Sequence, residues 1–66
     1  MTKTAELWVT ITEDDMVECD CVTVDSYKRI ARRSYWLHSY RDYREVLERF
    51  TEDCGLSNYR LRTYYI

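Results

Sequence analysis

The chain has 66 residues, 45% of them hydrophobic and 33% charged, and a formal net charge of −2. That balance belongs to a chain that folds, and at this length one domain, residues 1–66, with a single thin core is expected, too small to enclose a deep pocket as well. No apolar run approaches the roughly 18 residues of a membrane span, and the first dozen residues alternate instead of forming a secretion signal's apolar block, so the expectation is a cytoplasmic protein starting at its own Met1.

Residues 4–12 alternate, with Ala5, Leu7, Val9 and Ile11 pointing one way and Glu6, Trp8, Thr10 and Thr12 the other, the pattern of a half-buried strand. Glu13, Asp14 and Asp15 follow without a glycine, which excludes the tightest hairpin turns and favours a longer type I loop. Residues 16–24 form a second strand with Val17, Cys19, Cys21 and Thr23 on the uncharged face and Glu18 and Asp20 opposite. Val22 and Val24 fall on the charged face, so a bulge near Cys21 swaps the faces or the strand end is covered on both sides.

Residues 25–38 fit two patterns. A helix capped by Asp25 or Ser26 gathers Tyr27, Ile30, Ala31, Ser34, Leu37 and His38 on one face and turns Lys28, Arg29, Arg32, Arg33 and Trp36 outward. A strand buries Arg29 and Arg33, so the helix is the better pattern. Residues 39–55 carry the strongest signal: Ser39 as N-cap, Tyr43, Val46, Leu47, Phe50 and Cys54 on one face, and Gly55 as the stop. Residues 58–66 alternate again and read as a closing strand beside the first. The fold class is therefore α+β: a small antiparallel sheet, made of the N-terminal hairpin and the C-terminal strand, covered on one face by one or two helices in ββααβ or ββαβ order. Its expected core is Leu7, Val9, Ile11, Val46, Leu47 and Phe50.

No catalytic signature is present, and the chain is expected not to be an enzyme. Three cysteines are an odd number for a disulfide framework. Cys19, Cys21, His38 and Cys54 are a conceivable zinc set, but C-x-C is not the usual knuckle spacing. We expect buried thiols, no metal and no cofactor, with His38 as a helix-end residue bonding the last carbonyls.

Charge is segregated. Residues 1–26 hold seven acidic side chains against Lys3, and residues 27–44 hold six basic ones against Asp42. Arg41, Arg44 and Arg49 have acidic residues at helical spacing, whereas Lys28, Arg29, Arg32 and Arg33 have none. Those four, with Tyr35 and Trp36, are the candidate partner-binding surface, since arginine and aromatic rings concentrate interface energy. The acidic turn Glu13, Asp14 and Asp15 is the secondary candidate. Seven tyrosines exceed what so small a core can take. The expected function is a protein-binding module occupying a surface of a larger protein or protein complex, by analogy with the compact inhibitors that bacteriophages and mobile elements direct at host machinery or defence. The alternative is a nucleic-acid binder using residues 27–44, against which the acidic pI of about 5.3 weighs. No membrane partner is expected.

Overall fold

The computed structural model describes residues 3–66; the expectation placed on Met1 lies outside them. Its elements are β1 (Lys3–Ile11), β2 (Met16–Thr23), β3 (Arg29–Trp36), a single 3-10 turn (Leu37–Ser39), α1 (Tyr43–Asp53) and β4 (Tyr59–Tyr65). The four strands form one mixed sheet in the order β3-β2-β1-β4, in which β1 pairs antiparallel with β2 and parallel with β4. The class is α+β as expected, but the order is βββαβ and the sheet is not purely antiparallel. The last strand does lie beside the first.

The main correction falls on residues 25–38, which form no α-helix. Asp25 and Ser26 are spent on the turn between β2 and β3. There Thr23 and Lys28 close the hairpin through the Thr23 N–H to Lys28 C=O bond of 2.9 Å, and Thr23 Oγ1 lies 2.8 Å from Ser26 Oγ. Without β3, the outer N–H and C=O groups of β2 would lack partners, and β3 supplies them. The two buried arginines that counted against a strand do not arise. The register shifts at Cys21/Val22, where Cys21 faces Ala31 and Val22 faces Arg29, so Ile30 is the extra residue of a bulge. Arg29 thereby passes to the far face, while Ile30 and Ala31 both pack on the core. Arg33 stays on the core side but remains exposed because β3 is an edge strand. The bulge is on β3, opposite Cys21 and Val22, so the face swap weighed for β2 does not occur and Val22 stays on the charged face.

The helix begins later than its sequence suggests. Asp42, not Ser39, is the N-cap, its Oδ1 accepting the N–H groups of Arg44 at 3.0 Å and Glu45 at 3.2 Å. Ser39 instead ends the 3-10 turn. Gly55 closes α1 as read, at φ 63°. Its N–H bonds the Glu52 carbonyl, and the Leu56 N–H reaches the Thr51 carbonyl at 2.9 Å, the paired bonds of a Schellman stop. That motif turns Leu56 fully into the core, a burial the sequence reading did not anticipate.

The core lies between α1 and one sheet face: Ala5, Leu7 and Val9 from β1, Val17, Cys19 and Cys21 from β2, and Val46, Phe50 and Leu56. Leu47 is only half-buried, and Ile11 is 47% exposed, because β4 pairs with β1 no further than Val9 and leaves Ile11 at a sheet corner.

Candidate functional site

Strand alternation sends the even-numbered residues of β1 and β2 to the face away from α1. Thr4, Glu6, Trp8 and Thr10 of β1 stand beside Met16, Glu18, Asp20 and Val22 of β2. Pairing adds Arg32, Ser34 and Trp36 from β3 and Arg60, Arg62 and Tyr64 from β4. Among the described residues, no element covers this face.

Two rows across the sheet carry its chemistry. In one, Arg32, Asp20, Trp8 and Tyr64 are cross-strand neighbours, and the Trp8 and Tyr64 rings stack with centroids 4.7 Å apart and planes 20° from parallel. Cross-strand residues on one face lie close enough for such stacking, and aromatic pairs gain beyond their buried area. In the next row come Arg29, Val22, Glu6 and Arg62. Arg29 forks onto Asp20 of the row beside it, Nε to Oδ1 at 3.0 Å and Nη2 to Oδ2 at 3.2 Å. Glu6 is only 8% exposed, and its Oε1 accepts no hydrogen bond. At the end of the face, the Trp36 indole is 56% exposed and meets the His38 ring edge-on at 5.4 Å.

The six residues singled out in the sequence are divided by the sheet. Arg29, Arg32 and Trp36 stand on the open face, Arg33 and Tyr35 on the helix side, and Lys28 in the turn. Arg29 is not without an acidic neighbour, since strand pairing brings Asp20 to it from nine residues away. Tyr35 is a packing residue. Its ring meets Phe50 and Tyr40 edge-on, its hydroxyl donates to Asp53 Oδ2 at 2.9 Å, and burial with that bond pushes the phenol well above its usual range. Of the helical pairs foreseen for Arg41, Arg44 and Arg49, Arg49 with Asp53 forms, at 3.2 Å.

The acidic turn is exposed and shaped by its aspartates. Asp15 takes φ 60°, its carbonyl accepts the Leu37 N–H, and its Oδ2 lies 2.9 Å from His38 Nε2. His38 is thus tied to the hairpin tip and not to a helix end. The four residues weighed as zinc donors are not brought together: Cys19 and Cys21 are fully buried under α1, while His38 is exposed. Burial, with a smaller push from Cys54, raises the Cys19 thiol from 9.0 to about 11. Among the described residues no group of three or more His, Cys, Asp or Glu is arranged for a metal, and no helix is long and apolar enough to cross a membrane. A shallow cleft of about 360 Å³ opens where β1 begins, between Lys3, Thr23, Asp25 and Tyr59, with no convergent set of reactive groups.

Alternation along β1 places Glu6 and Trp8 opposite the core but does not join them to Arg60, Arg62 and Tyr64. Only the parallel β1–β4 pairing does that. Comparison with known proteins returned no match: no family model, no curated protein and no solved structure is similar to this chain.

Proposed function

We propose that this chain is a small, non-enzymatic protein-binding module, an inhibitor or regulator that seats the open face of its sheet on a larger partner in the cytoplasm. The observation that carries the reading is the Trp8–Tyr64 stack standing on a sheet face that no other element covers among the described residues, with Trp36 exposed at the end of the same face. Tryptophan, tyrosine and arginine are the residues in which interfaces concentrate energy, and these rings lie outside the core's needs. Arg32, Trp36 and Arg29, the last tied to Asp20, remain in the working surface, Trp8, Arg62 and Tyr64 join it, and Lys28, Arg33 and Tyr35 leave it. The acidic turn Glu13, Asp14 and Asp15 is the alternative surface. The bacteriophage and mobile-element inhibitors of host machinery are the analogy for how so small a chain acts.

One observation favours a second reading. Rings on an open sheet face flanked by Arg32, Arg60 and Arg62 also suit the stacking of single-stranded nucleic acid. The carboxylates Glu6, Glu18 and Asp20 on the same face weigh against it, because they oppose phosphate.

The test is capture from a lysate on the tagged protein, comparing wild type with Arg32→Glu/Trp36→Ala. Both side chains are exposed, so the fold is expected to persist by circular dichroism. We expect retention of the protein partner to fall about tenfold or more. Undiminished retention by the folded variant would move the surface to the acidic turn. A partner that is nucleic acid, lost log-linearly with salt, would replace the proposal by the second reading.

A further inference from the structure

The open face carries an unusual charge layout. Its two central strands present only carboxylates, Glu6, Glu18 and Asp20, while every cation stands on the edge strands, Arg29 and Arg32 on β3 and Arg60 and Arg62 on β4. Asp20 is matched by Arg29. Glu6 is not: among the described residues no ion pair or hydrogen bond engages its Oε1, although the side chain is only 8% exposed. A desolvated acceptor without a donor costs stability, and a donor supplied from outside recovers that cost on binding.

We infer that this face is the seat for one α-helix of the protein partner, lying along β1 with an arginine or lysine of its contact ridge donating to Glu6 and acidic residues on its flanks facing Arg32 on one side and Arg60 and Arg62 on the other. The inference rests on the protein-binding reading and specifies the partner's chemistry. Width agrees. Four strands about 4.8 Å apart span roughly 14 Å, close to the 10–12 Å diameter of a helix with its side chains. Length agrees as well, since the nine residues of β1 run for roughly 30 Å, enough for about five turns of helix. The helix would mirror α1, which already covers the other face, and complete a three-layer sandwich of the kind that buries a sheet on both sides. The incoming cation also meets the Trp8 ring, next along β1 on the same face, which attracts cations through its face. A single strand of nucleic acid, acceptor-rich and anionic, offers Glu6 a poorer complement.

The probe is a displayed library of helical peptides in which one ridge position and its two flanking rows vary, selected against the wild-type protein. We expect arginine or lysine at the ridge and aspartate or glutamate on the flanks. The selected peptides should bind Glu6→Gln about tenfold more weakly, the loss of one charge-assisted hydrogen bond. Glu6→Leu separates recognition from folding. It should bind worst yet melt at or above the wild-type temperature, because the orphaned acceptor is gone. Selection without a basic ridge, or Glu6→Leu melting well below wild type, overturns the inference. So does a second copy of the chain occupying the face, seen as a wild-type dimer by light scattering that Arg62→Glu dissolves. A protein captured from lysate with equal retention by wild type and Glu6→Gln overturns it too while leaving the protein-binding reading standing. Failure to capture any protein sinks that reading instead.

Discussion

Gly55 and Tyr27 occupy the same left-handed region of backbone space, at φ 63° and φ 51°, with opposite consequences. At Gly55 an added Cβ would meet nothing within 4 Å, so the cost of Gly55→Ala is backbone strain alone. We expect a loss of about 1 kcal/mol, which lowers the melting temperature of a domain this size by roughly 4–8 °C. Tyr27 carries that strain already, with a ring that is 68% exposed and outside the core. Tyr27→Gly should therefore gain up to about 1 kcal/mol by urea denaturation, and a variant no more stable than wild type would show that the ring is held. Cys19 sets a pH dependence. Its folded value of about 11 lies above the 9.0 of an exposed thiol, so its contribution is fully present below pH 9.0 and lost as pH rises toward 11. Cys19→Val should flatten the fall in stability across that window. An unchanged alkaline slope would assign the fall to other groups.

At the scale of elements, α1 is held at both ends by named bonds, and its N-terminal one is testable. Asp42→Ala removes the acceptor for two N–H groups and should cost about 1 kcal/mol, whereas Ser39→Ala, outside the helix, should change stability by less than about 0.5 kcal/mol. The reverse ranking in thermal melts would restore the longer helix. The contrast also explains what was legible in the sequence. The face and stop of α1 were readable because they depend on contacts within a few residues, and β1, β4 and β2 as far as Cys21 because their alternation is unbroken over those residues. The start was misplaced because Ser39 and Asp42 are both competent caps, and local chemistry does not rank them. β3 was misread because its bulge at Ile30, the second residue of the strand, breaks the period of two at its start. Its edge position also lets Arg33 stay wet on the core side, a circumstance that no window of residues 25–38 reveals. The candidate surface was legible only where it lies within one strand, at Arg29, Arg32 and Trp36. Trp8 and Tyr64 are stacked by a pairing across nearly the whole chain.

For the whole molecule, the core between α1 and the sheet is where truncation costs most. Phe50 is fully buried against Tyr35 and the β2 residues, and Phe50→Ala should cost about 3–5 kcal/mol, a large share of what a small domain has. A variant melting near wild type would disprove that packing. The parallel pairing of β4 with β1 has a kinetic consequence. β1, β2 and β3 are consecutive in the chain and joined by short turns, so their loops close at little entropic cost and they are suited to form the folding nucleus. The second flank of β1 is taken by a segment beginning at Tyr59, and we expect it to dock last, after the helix. Contacts made that late are absent from the transition state, so weakening them speeds unfolding and leaves the folding rate nearly untouched. Leu61, half-buried on the core side of β4, is the place to see it. Leu61→Ala should accelerate unfolding about tenfold in stopped-flow measurements with the refolding arm unmoved. Until that last strand docks, one flank of the central strand stands open to any other extended chain, and the lifetime of that opening sets how readily the protein self-associates while folding.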